Sequence, residues 1–199
     1  MFEGQKIAVF DAEIKKPIDD LSDGWRSFDE MGVSCLVLFD YASGRYRVFD
    51  DSTIPEAVAI LHTYDWVVGF NTVGFDWKLL RATYPDCAVL AANRKSRDFD
   101  ILRQIWISVG ADPDRFDPKT HGGYKLDDVA FETVGMWKTG NGATAPLLYQ
   151  DGRLAELIDY CIEDVRIEKT LFEFIARYGY VIRHGARILV SFNPEAKED

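Results

Sequence analysis

The sequence predicts an α/β domain built on a mixed central sheet flanked by helices, and three observations carry that reading. Three short apolar or alternating runs open the chain, at Lys6 to Phe10, Gly32 to Phe39 and Arg45 to Phe49, patterned as strands of an antiparallel start. Past residue 50, helical patterns alternate with further strand patterns, as in layered α/β folds. A single long helical pattern then runs from Gly152 to Tyr178, with Leu154, Leu157, Ile158, Cys161, Val165, Leu171 and Ile175 recurring at three- and four-residue intervals. A chain of 199 residues that is 47% hydrophobic can bury one substantial core, so one domain over 1–199 is expected, its motif-bearing part at about 6–178.

Each element has a local reason. Lys6 to Phe10 is a short apolar run, and Gly32 to Phe39 is mostly apolar and β-branched. Between them Lys15 to Glu30 is polar and carries Pro17, Gly24 and Trp25, which predicts irregular chain of a length more often functional than idle. Tyr41-Ala42-Ser43-Gly44 supplies a turn into the alternating strand Arg45 to Phe49. Pro55 to His62 reads as a helix with proline at a tolerated first-turn position, and Trp66 to Phe70 as a compact strand. Phe75 to Tyr84, Asp98 to Val109 and Lys125 to Val134 read as helices, the last stopped by Gly135. Gly110 to Tyr124, with two prolines and Gly122-Gly123, reads as a loop or flap. Val181 to Arg183 and Ile188 to Phe192 flank His184-Gly185 as a terminal hairpin within 179–192, and 193–199 reads as a tail.

Charge and composition exclude several function classes. A net charge of −10 and a pI near 4.8 argue against gripping a polyanion by bulk charge. Cys35, Cys87 and Cys161 are odd in number and widely spaced, which fits reduced thiols in a cytoplasm and not a disulfide frame or a zinc site. No basic and apolar leader and no membrane-length apolar run is present, so a soluble, cytoplasmic protein without membrane association is expected. The absence of G-x-G-x-x-G after the first strand and of G-x-x-x-x-G-K-[ST] disfavours a doubly wound nucleotide binder.

The residues that carry chemistry are acids. Asp11 and Glu13 are two apart at the end of a strand and project to one side, where they repel each other unless a cation lies between them. Alone, the pair also fits a strand ending in solvated acids. Asp76 follows the strand Trp66 to Phe70 at a helix start, where a carboxylate also serves as an ordinary cap or dipole partner. Tyr160 and Asp164 are i and i+4 on the long helix, and Asp164 falls on the border of its apolar stripe, where a partly buried acid needs a partner.

Together these segments resemble the three motifs of the DEDD superfamily of 3′–5′ exonucleases. Phe10-Asp11-Ala12-Glu13 resembles the first, Asn71 through Phe75-Asp76 the second as found in the proofreading domains of family-B DNA polymerases, and Tyr160 through Asp164 the third. Asp159 stands where the histidine branch has its histidine, so the chain resembles the tyrosine (DEDDy) branch. Lys125-Leu126-Asp127-Asp128-Val129-Ala130, with Gly135 and Lys138, is similar to a helix of those proofreading domains, and Asp98-Phe99-Asp100-Ile101 to their strand-to-helix aspartate segment. The resemblance implies a ribonuclease H-like fold and a stand-alone exonuclease domain.

It further implies that Asp11, Glu13, Asp76 and Asp164 hold two Mg²⁺ or Mn²⁺ ions, one activating the attacking water and the other stabilising the leaving 3′ oxygen. Tyr160 is implied to orient that water, since a phenol is a poor base at neutral pH. Asn71, Phe75 and Trp77 are the candidate substrate contacts, with core packing as the alternative for the aromatics. The implied substrate is a single-stranded DNA or RNA 3′ end; a stand-alone domain with so little basic surface is expected either to act weakly and distributively or to have a helicase or polymerase partner that delivers the strand. Arg94-Lys95-Ser96-Arg97 reads as a solvated loop or a phosphate contact, His62, His121 and His184 as too dispersed for a metal set, and Thr139-Gly140-Asn141-Gly142 as a turn. The competing class is a non-catalytic nucleic-acid-binding or scaffold module of the same shape. A haloacid dehalogenase-type phosphotransferase is disfavoured by Glu13 in place of a second aspartate.

Overall fold

The computed structural model describes residues 2, 4–91, 97–138 and 140–193. Arg94-Lys95-Ser96, Thr139 and the tail beyond Asn193 lie outside the described residues. In chain order the elements are β1 (Ile7–Ile14), single 3₁₀ turns at Ile18–Asp20 and Gly24–Arg26, α1 (Phe28–Met31), β2 (Val33–Asp40), β3 (Arg45–Asp50), α2 (Ile54–Leu61), β4 (Trp66–Gly69), α3 (Asp76–Thr83) and α4 (Ala88–Ala91). They continue with β5 (Arg97–Asp100), α5 (Ile101–Ser108), α6 (Pro118–His121), α7 (Leu126–Val134), α8 (Ala145–Gln150), α9 (Leu154–Tyr178), β6 (Tyr180–Arg183) and β7 (Ala186–Leu189).

The central sheet has the order β3-β2-β1-β4-β5, antiparallel between β1, β2 and β3 and parallel between β1, β4 and β5. This is the expected mixed sheet with helices on both faces. Alternation along β1 divides the core: Ile7 and Val9 pack with Val165, Leu171 and Phe172 of α9, whereas Ala8, Phe10 and Ala12 pack with Val58, Leu61, Leu79 and Leu80 of α2 and α3. The separate hairpin β6–β7 is tied to α7, where the Thr133 hydroxyl accepts the Ile182 N–H at 2.9 Å. Among the described residues no helix is long and apolar enough to cross a membrane.

Three expectations need correction. β1 extends to Ile14 because β2 pairs with it that far, so Asp11 and Glu13 lie inside the strand and not at its end. The expected helix from Asp98 to Val109 is split: Arg97–Asp100 is a strand parallel to β4, and helix begins only at Ile101, with the Asp100 carboxylate capping it by accepting the Arg103 N–H. The short helix α8 was not foreseen, and the hairpin strands start earlier than their hydropathy indicates.

Candidate active site

The period of two that sends Ile7 and Val9 toward α9 sends Asp11 and Glu13 the same way. Asp11 lies opposite Val37 and Glu13 opposite Cys35, and the register of β1 against β2 shifts directly after Glu13. Such bulges re-aim side chains beside sites. From α9, the Cys161 thiol donates to the Asp11 carbonyl at 3.5 Å and lies 3.8 Å from its carboxylate, which seats the helix against the strand at this level.

The turn from β4 to α3 explains its sequence atom by atom. Asn71 has φ +69°, a left-handed conformation that asparagine tolerates, and its carbonyl accepts the Phe75 N–H at 2.8 Å. A Cβ on Gly74 would stand 2.2 Å from the Asn71 side-chain oxygen, so glycine here lets the Asn71 amide keep its place in the turn. Asp100 at the end of β5 accepts the N–H groups of Asn71 and Val73 at 2.9 and 3.0 Å, fixing the turn from the neighbouring strand. Asp76 emerges as the first residue of α3, 2% exposed.

On α9, Tyr160, Asp164 and Glu168 are spaced four apart and share one face. Asp164 pairs with the Lys138 ammonium, which also donates to the Tyr160 hydroxyl at 3.4 Å. Lys138 is held there by its own N–H, donated to Asp127 in the first turn of α7 at 2.9 Å. The Lys125–Ala130 segment thus serves the site through Asp127. Gly140 and Gly142 lie over Tyr160: a Cβ on Gly140 would come within 3.1 Å of its ring, and one on Gly142 within 3.7 Å of its hydroxyl. The turn expected at this glycine pair is therefore a cover on the tyrosine.

Asp11, Glu13, Asp76, Tyr160 and Asp164 line one cavity of about 300 Å³, together with Asn71 and Phe75. Burial, then repulsion from Asp164, pushes the Asp11 carboxyl up to about 7. Burial and Asp11 likewise raise Glu13 and Asp76 well above the ordinary carboxylate range. Burial raises the Tyr160 phenol further, so it stays protonated at neutral pH. For Lys138 burial acts the other way, but the charges of Asp164 and Asp11 overcome it and hold the ammonium charged.

The donor set fits divalent cations. One oxygen each of Asp76 and Asp164 is buried without a hydrogen-bond partner. Donor atoms of Asp11, Glu13 and Cys161 lie within 4.8 Å of one another, and a set dominated by carboxylate oxygens suits a hard ion.

Not every candidate joins the site. Trp77 is 2% exposed, its ring 5.1 Å from that of Phe10 and its indole N–H donated to Asp98 at 3.0 Å, so it is a core residue and offers no face to a base. Phe75 does line the cavity, with Trp25 and Phe28 edge-on or tilted at 5.8 and 5.6 Å. Trp25, 64% exposed, makes the irregular Lys15 to Glu30 segment a wall of the site. His121 is buried in the flap: its Nε2 donates to the Asp112 carbonyl at 2.7 Å and its Nδ1 accepts the Asp117 N–H at 3.1 Å. Glu168 was missed. Its signal was available, since it continues the four-residue spacing of Tyr160 and Asp164 into the apolar stripe.

A family model described as RNase_H superfamily matches residues 37–176, a span holding Asp76, Tyr160 and Asp164 but starting downstream of Asp11 and Glu13. Among solved structures, the fold is similar to the family B DNA polymerase from the hyperthermophilic archaeon Pyrobaculum calidifontis, with TM-score 0.63 and 20% sequence identity. The match covers 86% of this chain and 24% of the polymerase, so the chain spans about a quarter of its length. No curated protein matches.

Proposed function

Because the chain belongs to the ribonuclease H superfamily, we propose that it is a metal-dependent 3′–5′ exonuclease of the tyrosine branch, acting on single-stranded DNA or RNA and releasing nucleoside 5′-monophosphates. The observation that carries this is the convergence of Asp11, Glu13, Asp76 and Asp164 in one cavity, two of them with buried, unpartnered oxygens. Two Mg²⁺ or Mn²⁺ ions held by these four residues would supply Lewis-acid polarisation of the phosphoryl group and a water of lowered pKa.

The remaining chemistry belongs to the chain. Tyr160, protonated and steadied by Gly140 and Gly142, donates a hydrogen bond that orients the attacking water and does not remove its proton. Lys138 keeps Asp164 in place and adds positive charge where the phosphodiester must sit. Phe75, backed by Trp25, presents an aromatic surface for the terminal base, and Asn71 borders the same space. A helicase or polymerase partner delivers the strand, which suits so acidic a chain, and three free cysteines suit a reducing cytoplasm.

A 5′-labelled oligonucleotide, as DNA and as RNA, incubated with Mg²⁺ or Mn²⁺, should give a ladder shortening from the 3′ end. Asp11→Ala and Asp164→Ala should each abolish it. A labelled strand left intact with both metals, or equal ladders from the variants, defeats the proposal; tight metal-independent binding without cleavage would favour a binding module instead.

A further inference from the structure

A fifth carboxylate stands behind the four. Glu168 is 1% exposed, and one of its oxygens accepts the Phe70 N–H at 3.2 Å while the other is buried without a partner. The residue borders a second cavity of about 730 Å³ that also contains Asp11, Asn71, Phe75 and Lys138, so this cavity adjoins the acidic site. A fully buried glutamate with a free oxygen is costly unless a cation lies near.

Among the described residues no cation is in direct contact with it. Glu168 packs below the end of β4, its free oxygen 3.6 Å from where a Cβ on Gly69 would be. Burial, and then the charges of Asp11, Asp76 and Asp164, push its carboxyl well above the ordinary carboxylate range, with Lys138 opposing them. In contrast to Asp164, it makes no ion pair with Lys138. A purely structural acceptor for the Phe70 N–H needs no negative charge, because a glutamine oxygen accepts the same bond.

Resting on the metal-dependent reading above, we infer that Glu168 is a positioning residue for the metal pair, a buried negative charge behind Asp11 that raises the affinity of the site for divalent cations. Charge balance supports this. Two divalent ions with the Lys138 ammonium carry five positive charges, and Asp11, Glu13, Asp76, Asp164 and Glu168 supply five carboxylates. Glu168 also joins the site mechanically, because the Phe70 N–H that it holds directly precedes Asn71 and the turn to Asp76.

The test separates charge from shape. Mn²⁺ binding is measured by electron paramagnetic resonance of the free ion in the wild type, Glu168→Gln and Glu168→Ala, with thermal unfolding in EDTA recorded alongside. Glu168→Gln, which keeps the bond to Phe70 and removes only the charge, should weaken Mn²⁺ binding on the order of tenfold, the low end of the effect of groups surrounding metal ligands. Its melting temperature in EDTA should equal or exceed that of the wild type. Wild-type affinity in Glu168→Gln overturns the inference, even if Glu168→Ala binds poorly or fails to fold, because Glu168 would then be only a hydrogen-bond acceptor. A wild type that takes up no Mn²⁺ overturns the metal-dependent reading itself, a result distinguishable from the first.

Discussion

At the scale of single residues, the site is a set of charges held closer together than they would choose. The Asp11 carboxyl is raised to about 7 by burial and then by Asp164, whereas an unfolded chain would hold it near ~4. Between those values the folded state keeps a proton that the unfolded state releases, so raising the pH through this window destabilises the metal-free fold. Thermal unfolding in EDTA should therefore show a higher melting temperature near pH 5.5 than at pH 8, and saturating Mn²⁺ should remove or reverse the difference. A melting temperature in EDTA that rises steadily over that range would contradict the crowding of these acids. The acids themselves were legible in the sequence because strand and helix periods are strict: two apart on β1 and four apart on α9 put them on one side. Lys138 and Glu168 were less so. Lys138 is brought to the site by the bond from its backbone to Asp127, a contact its own sequence does not announce, and Glu168 is one charged residue among many on a 25-residue helix.

At the scale of elements, the short strand β5 does more for the site than its four residues imply. Asp100 caps α5 and also accepts the Asn71 and Val73 N–H groups, so Asp100→Ala strands two donors of the turn before Asp76. A loss of roughly 2–6 kcal/mol in stability is expected from two donors left unsatisfied at ~1–3 kcal/mol each. Chemical denaturation measures the loss, and amide hydrogen exchange should quicken at Asn71 and Val73 in particular; unchanged exchange there would show that the turn holds itself. The same bonds explain why the sequence of β5 does not announce a strand. Two of its four residues are aspartates whose side chains face donors on other elements, Trp77 for Asp98 and the turn for Asp100, so the polar pattern obscures a strand. Trp77 misled for a related reason: next to Asp76 in sequence, it is rotated by about 100° on the helix and falls on the face packed against Phe10.

For the whole molecule, the net charge of −10 sets how substrate can be held. On the proposed function, binding would come from the cavity and the ions it would hold, with little from a general basic surface. Oligonucleotide binding followed by fluorescence anisotropy should thus be weak in EDTA and strengthen with Ca²⁺, a divalent ion chosen to permit binding with slow turnover. Its salt dependence should be shallow, with a log–log slope no steeper than about −2, the value for about three neutralised phosphates on a single strand. A steep slope in EDTA would point to a basic track elsewhere on the surface. The apolar runs of β1, β2 and β4 made three of the five strands readable, since these are buried along nearly their whole length, whereas the edge strand β3 alternates in sequence but buries only Phe49, leaving Tyr46 and Val48 exposed.

The ammonium of Lys138 has one further consequence. Because it is tethered through Asp127 and lies among the acids, the fold keeps one positive charge in the site whether or not ions are bound there. The pocket need not collapse or unravel when it is emptied. Chelation should leave a folded, reloadable vessel, and the cofactor should come and go without the protein being remade each time.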